Sequence, residues 1–413
     1  MSVSVFPDIR ASRIALTALP PLSLYVHVPW CVRKCPYCDF NSHELKATRP
    51  GGLPASANGP ATIDRQLEDD YARALVADLE SALPSVWGRR LTSIFVGGGT
   101  PSLLSAQTLD RILSAVRARL PVEPDAEITL EANPGTFEAE KFADFRAAGV
   151  NRLSIGIQSF NPLHLKAIGR IHDDAQACNA IDIAQRNFDN INLDLMYALP
   201  EQTPEQALED VTQAAGCGVQ HISAYHLTLE PNTLFHRNPP RLPDDDTSAE
   251  MQAAIEALLA ERGYRHYETS AFSLPGRESR HNVNYWTFGD YLGVGAGAHS
   301  KVSFADRIVR EMRYKHPREY LQKALAGTPV QSTQAVEAGE LPFEFMMNAL
   351  RLIDGFELRL FAERAGLPAD VLTPGLQGAE QAGLIERDHA RVRPTLRGQR
   401  FLNDLLQLFL PAR

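Results

Sequence analysis

The sequence predicts an α/β protein in which a parallel sheet is followed by a small helical domain. Six short β-rich segments alternate with amphipathic helical segments, a pattern typical of parallel strands joined by crossover helices. The β-rich segments are nearly continuous apolar runs, as expected for a sheet that is buried on both faces. The chain has 413 residues, which exceeds the usual size of one core, so we expect two or three domains.

The six predicted strands are separated by segments that carry apolar residues at helical spacing. The strands are predicted at 24–28, 93–96, 127–131, 152–157, 190–197 and 220–227. The helices between them are predicted at 70–83, 106–120, 138–148, 174–187 and 204–216. Between residues 46 and 63 the chain is rich in Pro, Gly, Ala and Ser, which predicts a flexible surface insertion.

The second half of the chain changes in composition at two places. A Pro- and Asp-rich break at 238–246 precedes a predicted helix at 248–262. Beyond residue 308 we predict, in order, helices at 317–325, 343–353, 358–365 and 376–382, a hairpin at 383–394, and a last helix at 395–410 that Thr395 would cap. This order suggests a winged-helix-like domain. The predicted organisation is an N-terminal segment at 1–22, a sheet core at 23–245, a segment completing it at 246–307, and a C-terminal domain at 308–413.

The composition is that of a soluble globular protein, with 44% hydrophobic and 22% charged residues. The 41 basic and 50 acidic side chains give a net charge of −9, which argues against nucleic acid as a partner. No apolar stretch reaches 18 residues, so no membrane span is predicted. The first residues lack the basic and apolar regions of a signal peptide, so we expect an unprocessed, cytoplasmic protein.

Three of the five cysteines form the strongest motif in the chain. Cys31, Cys35 and Cys38 are spaced C-x3-C-x2-C in HVPWCVRKCPYCDF, directly after the first predicted strand. Three thiolates can bind three irons of a [4Fe–4S] cluster, whereas an ordinary ferredoxin cluster has a cysteine on each of its four irons. The triplet therefore indicates a cluster with one open iron.

Two other interpretations of this motif exist. A zinc site would need a fourth ligand, for which His27, His43 or a residue distant in sequence are candidates. A redox CxxC pair would leave Cys31 without a role. Cys178 and Cys217 lie far from the triplet in sequence, and we expect both to be small buried hydrophobic residues.

Polar and glycine motifs follow the next predicted strands. The run GGGTPS at 97–102 follows the second strand, Glu131 ends the third, Gln158 ends the fourth, and Asp194 lies in the fifth. Functional side chains of parallel sheets gather at the carboxyl ends of the strands, so we expect these residues at one mouth. The triglycine run lacks the nucleotide-binding lysine and the GxGxxG spacing. It fits either a tight turn or the close approach of a polar ligand to bare amides.

Together these motifs resemble the radical S-adenosylmethionine proteins. Within that family the chain is similar to the branch that contains oxygen-independent coproporphyrinogen III dehydrogenase and the heme chaperones. The resemblance runs from about residue 22 to 303, and more loosely to the end. The matching stretches are LYVHVPWCVRKCPYCDFNSH, GGGTPS, ITLEANPGT, NRLSIGIQSF, LKAIGRIH, NLDLMYALP, YHLTLEPNT and HNVNYWTFGDYLGVGAGAHS.

The resemblance implies a partial (β/α)6 barrel that holds a [4Fe–4S] cluster and S-adenosylmethionine. S-adenosylmethionine would chelate the open iron, and Gly98, Gly99 and Thr100 would face its methionyl end. The residues implied around its nucleoside and sulfonium are Tyr25, Tyr37, Glu131, Gln158, Arg170 and Asp194. Carboxylates suit ribose hydroxyls and a sulfonium charge, and a tyrosine ring offers a π-face to a cation. The alternative for the two carboxylates is an ion pair or a helix cap at the sheet rim.

Two departures favour the heme chaperones over the dehydrogenase. Phe40 stands where the dehydrogenases have one more cysteine, and the segment before Tyr25 is shorter than theirs. The run HNVNYW also matches the HNxxYW motif of the heme chaperones. By that resemblance His281 would be an axial heme ligand, with Tyr285 and Trp286 against the porphyrin.

The alternative for the HNxxYW motif is a hydrogen-bonded histidine beside the barrel mouth, with core aromatics. Many heme chaperones have a cysteine at the position of Ser279, so the resemblance does not imply a thioether between this chain and heme. His226 and His299 are lower-ranked candidate heme ligands.

We therefore expect a heme chaperone, without catalytic residues, that transfers heme to acceptor proteins not identifiable from the sequence. A homodimer is compatible with the sequence. The second candidate function is oxidative decarboxylation of coproporphyrinogen III by a radical mechanism. The third is a zinc-binding scaffold without radical chemistry.

Overall fold

The structure, a computed structural model, describes residues 13–45, 63–135 and 139–411. The insertion predicted between residues 46 and 63 falls almost entirely outside the described residues. Residues 1–12 of the predicted N-terminal segment also fall outside them. No helix in the described part of the chain is both long enough and apolar enough to cross a membrane.

The described residues form strands and helices that we number separately in chain order. The strands are β1 Leu22–Val28, β2 Trp30–Cys31, β3 His43–Glu44, β4 Leu91–Gly98, β5 Val122–Ala132, β6 Arg152–Gln158, β7 Ile191–Tyr197, β8 His221–His226, β9 Arg265–Glu268, β10 Ala271–Ser273, β11 Asp290–Val294, β12 His299–Ser303, β13 Ile308–Arg313, β14 Val330–Ala335, β15 Phe356–Glu357, β16 Ile385–Arg387 and β17 Arg391–Pro394. The helices are α1 Arg65–Ala82, α2 Ala106–Arg119, α3 Phe142–Ala147, α4 Pro162–Ala167, α5 Asp174–Asn187, α6 Pro204–Gly216, α7 Leu234–Arg237, α8 Asp245–Glu261, α9 Arg280–Trp286, α10 Pro317–Leu325, α11 Leu341–Ala349, α12 Leu358–Ala365, α13 Thr373–Gln381, α14 Leu396–Arg400 and α15 Leu402–Gln407.

One large sheet dominates the structure, with the strand order β14-β13-β12-β11-β1-β4-β5-β6-β7-β8-β10-β9. The six predicted strands are confirmed as β1, β4, β5, β6, β7 and β8, which are neighbours in the sheet and pair in parallel. The order is that of the chain, so each strand is joined to the next by a crossover, as the alternating pattern predicts. β14 and β9 form the two edges of the described sheet, which is consistent with a barrel that does not close on itself.

The two faces of the central strands differ in chemistry. Leu24, Val26 and Ile94 are fully buried in the large apolar core that the sheet shares with its helices. Alternating with them are buried polar residues that hydrogen-bond from strand to strand, as Ser93 does to Ser23 at 2.8 Å. Because successive side chains of a strand point to opposite faces, this polar set forms the inner face of the partial barrel.

Helix α9 covers the polar face near the start of β1 and β4. The Glu127 carboxylate accepts hydrogen bonds from the backbone N–H groups of Arg280 and His281, at 3.2 and 3.1 Å. A carboxylate at the first turn of a helix satisfies donors that have no partner within the helix. These bonds fix α9, which carries the HNxxYW motif, at the end of the partial barrel opposite the carboxyl ends of the strands. We call this end the floor of the barrel.

The C-terminal region has its own apolar core and a small antiparallel sheet of order β15-β17-β16. The predicted hairpin is present as β16 and β17, and the Thr395 hydroxyl accepts a hydrogen bond from the N–H of Gly398 at 3.0 Å, as expected of an N-cap. The predicted single helix at 395–410 is wrong in one respect: Phe401, with φ −111° and ψ 44°, separates α14 from α15.

Strands β9 to β14 were not predicted, and β13 and β14 pair with the large sheet although they follow residue 308. They are short, and the side chains of β14 are mostly exposed, so they lack the continuous apolar signal of the central strands. The proposed domain boundaries at 22, 245 and 307 stay proposals.

Candidate functional site

The cysteine loop leaves the carboxyl end of β1 and closes on itself. β2 and β3 pair in parallel at its base, with Trp30 opposite His43. The N–H of Cys38 donates to the carbonyl oxygen of Cys35 at 3.2 Å, which forms a tight turn between two of the predicted ligands. Cys31, Cys35 and Cys38 are all partly buried free thiols. The loop therefore presents three sulfur atoms within one short stretch of chain.

Thiolates are donors that both a [4Fe–4S] cluster and a zinc ion accept. Among the described residues, no three Cys, His, Asp or Glu side chains are grouped closely enough to bind one ion. Each cysteine of a [4Fe–4S] cluster binds a different iron, whereas four ligands of zinc converge on one atom. Arg170 donates from Nη1 to the sulfur of Cys35 at 3.9 Å, which places a positive charge beside the thiolates.

A chain of hydrogen bonds ties the cysteine loop to the first strand. The Nε2–H of His27 donates to the carbonyl oxygen of Asn41 at 3.0 Å, and the hydroxyl of Tyr25 donates to Nδ1 of the same ring at 3.0 Å. Burial lowers the pKa of His27 to about 4, so the ring is neutral and can accept at Nδ1. The side-chain amide of Asn41 donates to the carbonyl oxygens of Ala296 and Lys315, both at 2.9 Å.

The triglycine turn is packed too closely to carry side chains. A Cβ on Gly98 would lie 2.6 Å from Cε1 of His27, and one on Gly99 would lie 2.5 Å from the carbonyl oxygen of Trp30. Gly98 also has φ +117°, in a region that favours glycine. The N–H of Thr100 donates to the carbonyl oxygen of Trp30 at 2.7 Å. The turn is thus built against the cysteine loop, which explains why glycine occupies these positions.

A cavity of about 450 Å³ lies at this mouth of the sheet, and it brings most of the predicted site residues together. A volume of this size suits one small-molecule ligand or cofactor. The predicted residues that line it are Cys31, Cys35, Tyr37, Cys38, Gly98, Gly99, Thr100, Glu131, Gln158, Arg170 and Asp194. Tyr25 does not line the cavity; its ring stacks on Phe95 with a centroid distance of 6.2 Å.

Two carboxyl groups face the cavity in a buried, polar setting. Burial raises the pKa of Glu131 to about 8, and the nearby Asp194 adds to the rise. Burial also raises the pKa of Asp194. Ser154 and Asn192 donate to the two oxygens of Asp194 at 2.8 and 2.9 Å and so fix its orientation. Glu131 accepts a hydrogen bond from the N–H of Gly98 at 3.0 Å, and the positive charge of Arg152 partly opposes the rise of its pKa.

Gln158 and Arg170 line the cavity wall beside the two carboxyl groups, and Gln158 ends β6, which lies between β5 and β7 in the sheet. Gln158 has φ +69°, an uncommon angle for a residue with a side chain. Arg170 donates from Nη2 to the carbonyl oxygen of Gly156 at 2.6 Å and to the side chain of Asn133 at 2.8 Å, while its buried Nε has no hydrogen-bond partner in the part of the chain that the structure describes. Asn133 in turn donates to the Thr100 hydroxyl at 3.0 Å, which links this wall to the glycine turn.

The HNxxYW residues do not line this cavity. His281 is 2% exposed and lies at the floor of the barrel, where its Nδ1 meets the Ser93 hydroxyl at 2.9 Å. Its ring lies 5.0 Å from that of Tyr285, and burial lowers its pKa to about 3. Trp286 packs under the guanidinium of Arg351 at 4.3 Å. The alternative interpretation placed His281 beside the mouth, and this location is wrong, because α9 covers the opposite ends of the strands.

Several residues of the cavity wall were not predicted as site residues. Ser154 and Asn133 were detectable in principle, since each is a polar residue on or directly after a buried strand. Arg33, Tyr225 and Met196 also line the cavity. Their sequence neighbourhoods carry no signal that separates them from ordinary loop or strand residues. Of the lower-ranked histidines, His226 lines the cavity and His299 does not.

Comparison with known proteins identifies two family models within the chain. The model of the Radical SAM superfamily matches residues 25–214. The model of the HemN C-terminal domain matches residues 336–401. The first match contains the cysteine loop, the glycine turn and both carboxylates of the cavity.

Curated relatives match over nearly the whole chain. The Heme chaperone HemW of Escherichia coli (strain K12) is 47% identical over 96% of this chain and 100% of its own length. The Heme chaperone HemW of Haemophilus influenzae is 44% identical over 95% of this chain and 98% of its own. That of Bacillus subtilis (strain 168) is 33% identical over 94% of this chain and 99% of its own.

Among solved structures, the coproporphyrinogen III oxidase HemN of Escherichia coli, described as a radical SAM enzyme, aligns with a TM-score of 0.76. It is 23% identical in sequence, and the alignment covers 95% of this chain and 90% of the other. This likeness supports the partial-barrel fold and the C-terminal domain. The near full-length identity to the curated relatives goes further: the chain belongs to the HemW family of the radical SAM superfamily.

Proposed function

We propose that this protein is a heme chaperone that binds heme and transfers it to acceptor proteins. The observation that carries the proposal is the 47% identity to a protein named heme chaperone, over 96% of this chain. Phe40 is consistent with it, because the dehydrogenases that the sequence also resembles have a cysteine at that position.

We propose Cys31, Cys35 and Cys38 as the ligands of a [4Fe–4S] cluster. When bound, the cluster supplies an electron donor and one open iron at the cavity wall. The protein's own contribution is positional. The β2–β3 pair holds the loop at its base, Asn41 holds its far side, and Arg170 sets a positive charge beside Cys35.

We propose that S-adenosylmethionine occupies the cavity. Glu131 and Asp194 would balance its positive charge, and the ring of Tyr37 would offer its π-face. The absence of a side chain at Gly99 lets the glycine turn pack against the backbone of Trp30, which places the turn at the cavity wall. Tyr25 would act through His27 on the cysteine loop rather than by touching the ligand.

Transfer of heme makes and breaks no carbon bond of the porphyrin. The proposal therefore assigns no catalytic residue, and it gives the cluster and S-adenosylmethionine a regulatory or structural role.

The test uses the full chain, reconstituted with iron and sulfide without oxygen. Heme is titrated into it, and the loaded protein is mixed with a heme-free acceptor such as a b-type apocytochrome. The proposal expects stoichiometric heme binding and a shift of the heme spectrum to that of the acceptor. Conversion of coproporphyrinogen III to protoporphyrinogen IX by the same preparation, supplied with S-adenosylmethionine and a reductant, would overturn it in favour of the dehydrogenase function.

A further inference from the structure

The outer rim of the cavity has a different character from its interior. Six of the residues that line it are also exposed to solvent: two are Asp39 and Thr228, and the other four are Arg33, Phe40, Tyr225 and His226. Phe40 and Tyr225 are large aromatic side chains, 58% and 41% exposed. We call these four residues the rim. Exposed aromatics beside a cavity are typical of ligand-binding surfaces rather than of a solvated face.

The rim offers the three kinds of group that heme requires. Aromatic faces pack on the porphyrin plane, an imidazole binds the iron, and a guanidinium pairs with a propionate carboxylate. Arg33 makes no hydrogen bond or ion pair within the described residues, so its guanidinium is available. Heme is too large to share the interior with S-adenosylmethionine, whereas the rim leaves one of its faces in solvent.

His226 is the only histidine among the residues that line the cavity. Its ring packs edge-on against Tyr197, with a centroid distance of 5.3 Å, and makes no hydrogen bond within the described residues. Burial lowers its pKa, with Asp245 acting in the opposite direction, so the neutral imidazole that binds metals prevails at neutral pH. A nitrogen of this ring is therefore free to bind iron.

His281, by contrast, is closed off from the rim. It is 2% exposed, with Phe95 and Tyr285 each 5.0 Å from its ring. Its Nε2 has no hydrogen-bond partner among the residues described, but that atom is enclosed in the barrel floor, under a helix fixed by Glu127. Binding of heme iron at His281 would require α9 to leave the sheet, whereas binding at His226 requires no rearrangement of the backbone.

We propose that His226 is the axial ligand of heme bound at the rim, with Phe40 and Tyr225 against the porphyrin and Arg33 facing a propionate. This inference rests on the proposed heme-binding function. It also places the heme beside the cysteine loop, since Phe40 follows Cys38 by two residues. His281 then has a positioning role, and it holds the floor of the barrel through Ser93.

The test compares three variants of the anaerobically reconstituted full chain: His226→Ala, His281→Gln and, as a matched control, His236→Ala. His236 is an exposed histidine on α7 that does not line the cavity. Ferric heme is titrated into each, and the Soret band, the electron paramagnetic resonance spectrum and the Kd are recorded. We expect His226→Ala to weaken heme binding about tenfold or more and to lose the histidine-ligand spectrum. Added imidazole should restore that spectrum in His226→Ala.

His281→Gln and His236→Ala should keep the ligand spectrum of the wild type. A His226→Ala variant with unchanged spectrum and Kd would overturn the assignment, as would loss of the histidine signature in His281→Gln alone. In both cases the wild type still binds heme, so the proposed function stands. A wild type that binds no heme overturns the proposed function itself, which separates the two failures.

Discussion

The carboxylate of Glu131 accepts a hydrogen bond from the backbone N–H of Gly98 at 3.0 Å. Two residues that we predict to contact S-adenosylmethionine are therefore hydrogen-bonded to each other. The backbone N–H of Gly98 is used in this bond, so it is not free to donate to the methionyl group of S-adenosylmethionine. The carboxyl group is buried, and its pKa is raised to about 8, first by burial and then by Asp194. A buried carboxyl group of this kind couples ligand binding to proton release.

The first prediction concerns the pH dependence of S-adenosylmethionine binding. Below about pH 8 Glu131 is mostly neutral, and a cationic ligand favours its ionised form, so binding must release a proton. Affinity should therefore rise with pH, by up to about tenfold per unit, and level off above pH 8. Equilibrium dialysis of labelled ligand at about pH 6, 7, 8 and 9 measures this slope.

The variant Glu131→Gln separates this effect from other titrating groups. Its amide oxygen can still accept from Gly98, but it carries no charge at any pH. We expect weaker binding at pH 9 and a much shallower slope. Glu201→Gln, at an exposed position outside the cavity, should keep the wild-type profile. A profile for Glu131→Gln that matches the wild type would show that this carboxyl group does not control binding.

The second prediction concerns the cluster ligands. Cys31→Ser, Cys35→Ser and Cys38→Ser should each reduce the iron incorporated on anaerobic reconstitution to a small fraction of the wild-type value, because each thiolate binds its own iron. Cys178→Ser and Cys217→Ser serve as controls and should retain the wild-type iron content. Iron and sulfide assays with the visible spectrum measure the result. One tightly bound zinc per chain, with no iron taken up, would contradict the cluster.

The third prediction concerns the glycine turn. An added Cβ at Gly99 would lie 2.5 Å from the carbonyl oxygen of Trp30, a backbone atom that can move only with the cysteine loop. Gly99→Ala should therefore lower the free energy of unfolding by about 1–3 kcal/mol and weaken S-adenosylmethionine binding together with it. Denaturant melts and dialysis give the two quantities. Gly216→Ala, where a Cβ would meet nothing within 4 Å, should be neutral or slightly stabilising.

The residues at the mouth of the sheet could be predicted from the sequence because each of the motifs that form it lies within a short stretch of chain. The central strands are continuous apolar runs, and the cysteines, Gly98, Glu131 and Asp194 lie at or near their carboxyl ends. In a parallel sheet those ends meet at one edge, so the order of motifs along the chain suffices to bring them together. This is why eleven of the twelve predicted cluster and S-adenosylmethionine residues line one cavity, with Tyr25 as the exception.

The position of the HNxxYW motif was not predictable in this way. It depends on the contact between Glu127 and the first turn of α9, about 150 residues further along the chain. Nothing local to His281 distinguishes a residue at the mouth from one at the floor. The antiparallel edge strands were missed for a related reason. In β14, apolar and polar residues alternate little and most side chains are exposed, so the sequence carries no clear strand pattern there.

The last prediction concerns the buried support of the cysteine loop. Asp78 is fully buried and accepts from the Nε of Arg313 at 3.1 Å, the Tyr320 hydroxyl at 2.8 Å and the N–H of Gly295 at 3.0 Å. The carbonyl oxygen of Ala296, next to Gly295, accepts a hydrogen bond from the side chain of Asn41 in the cysteine loop. The Asp78 carboxylate therefore supports the cysteine loop through Gly295 and Ala296.

Asp78→Asn removes the charge and leaves the buried Arg313 with Glu311, 2.9 Å from its Nη1, as its remaining ion-pair partner among the described residues. We therefore expect a loss of about 3 kcal/mol in the free energy of unfolding, at the lower end of the range for a broken buried pair. Asp78→Asn should also speed iron loss from the reconstituted protein, because the loop loses part of its support through Asn41. Asp69→Asn removes an exposed ion pair with Arg111 and should change both quantities little. Denaturant melts and the rate of iron release to a chelator measure the two effects. If Asp78→Asn unfolds like the Asp69→Asn control, the buried pair does not stabilise the fold; if only iron loss is unchanged, the link through Asn41 is wrong.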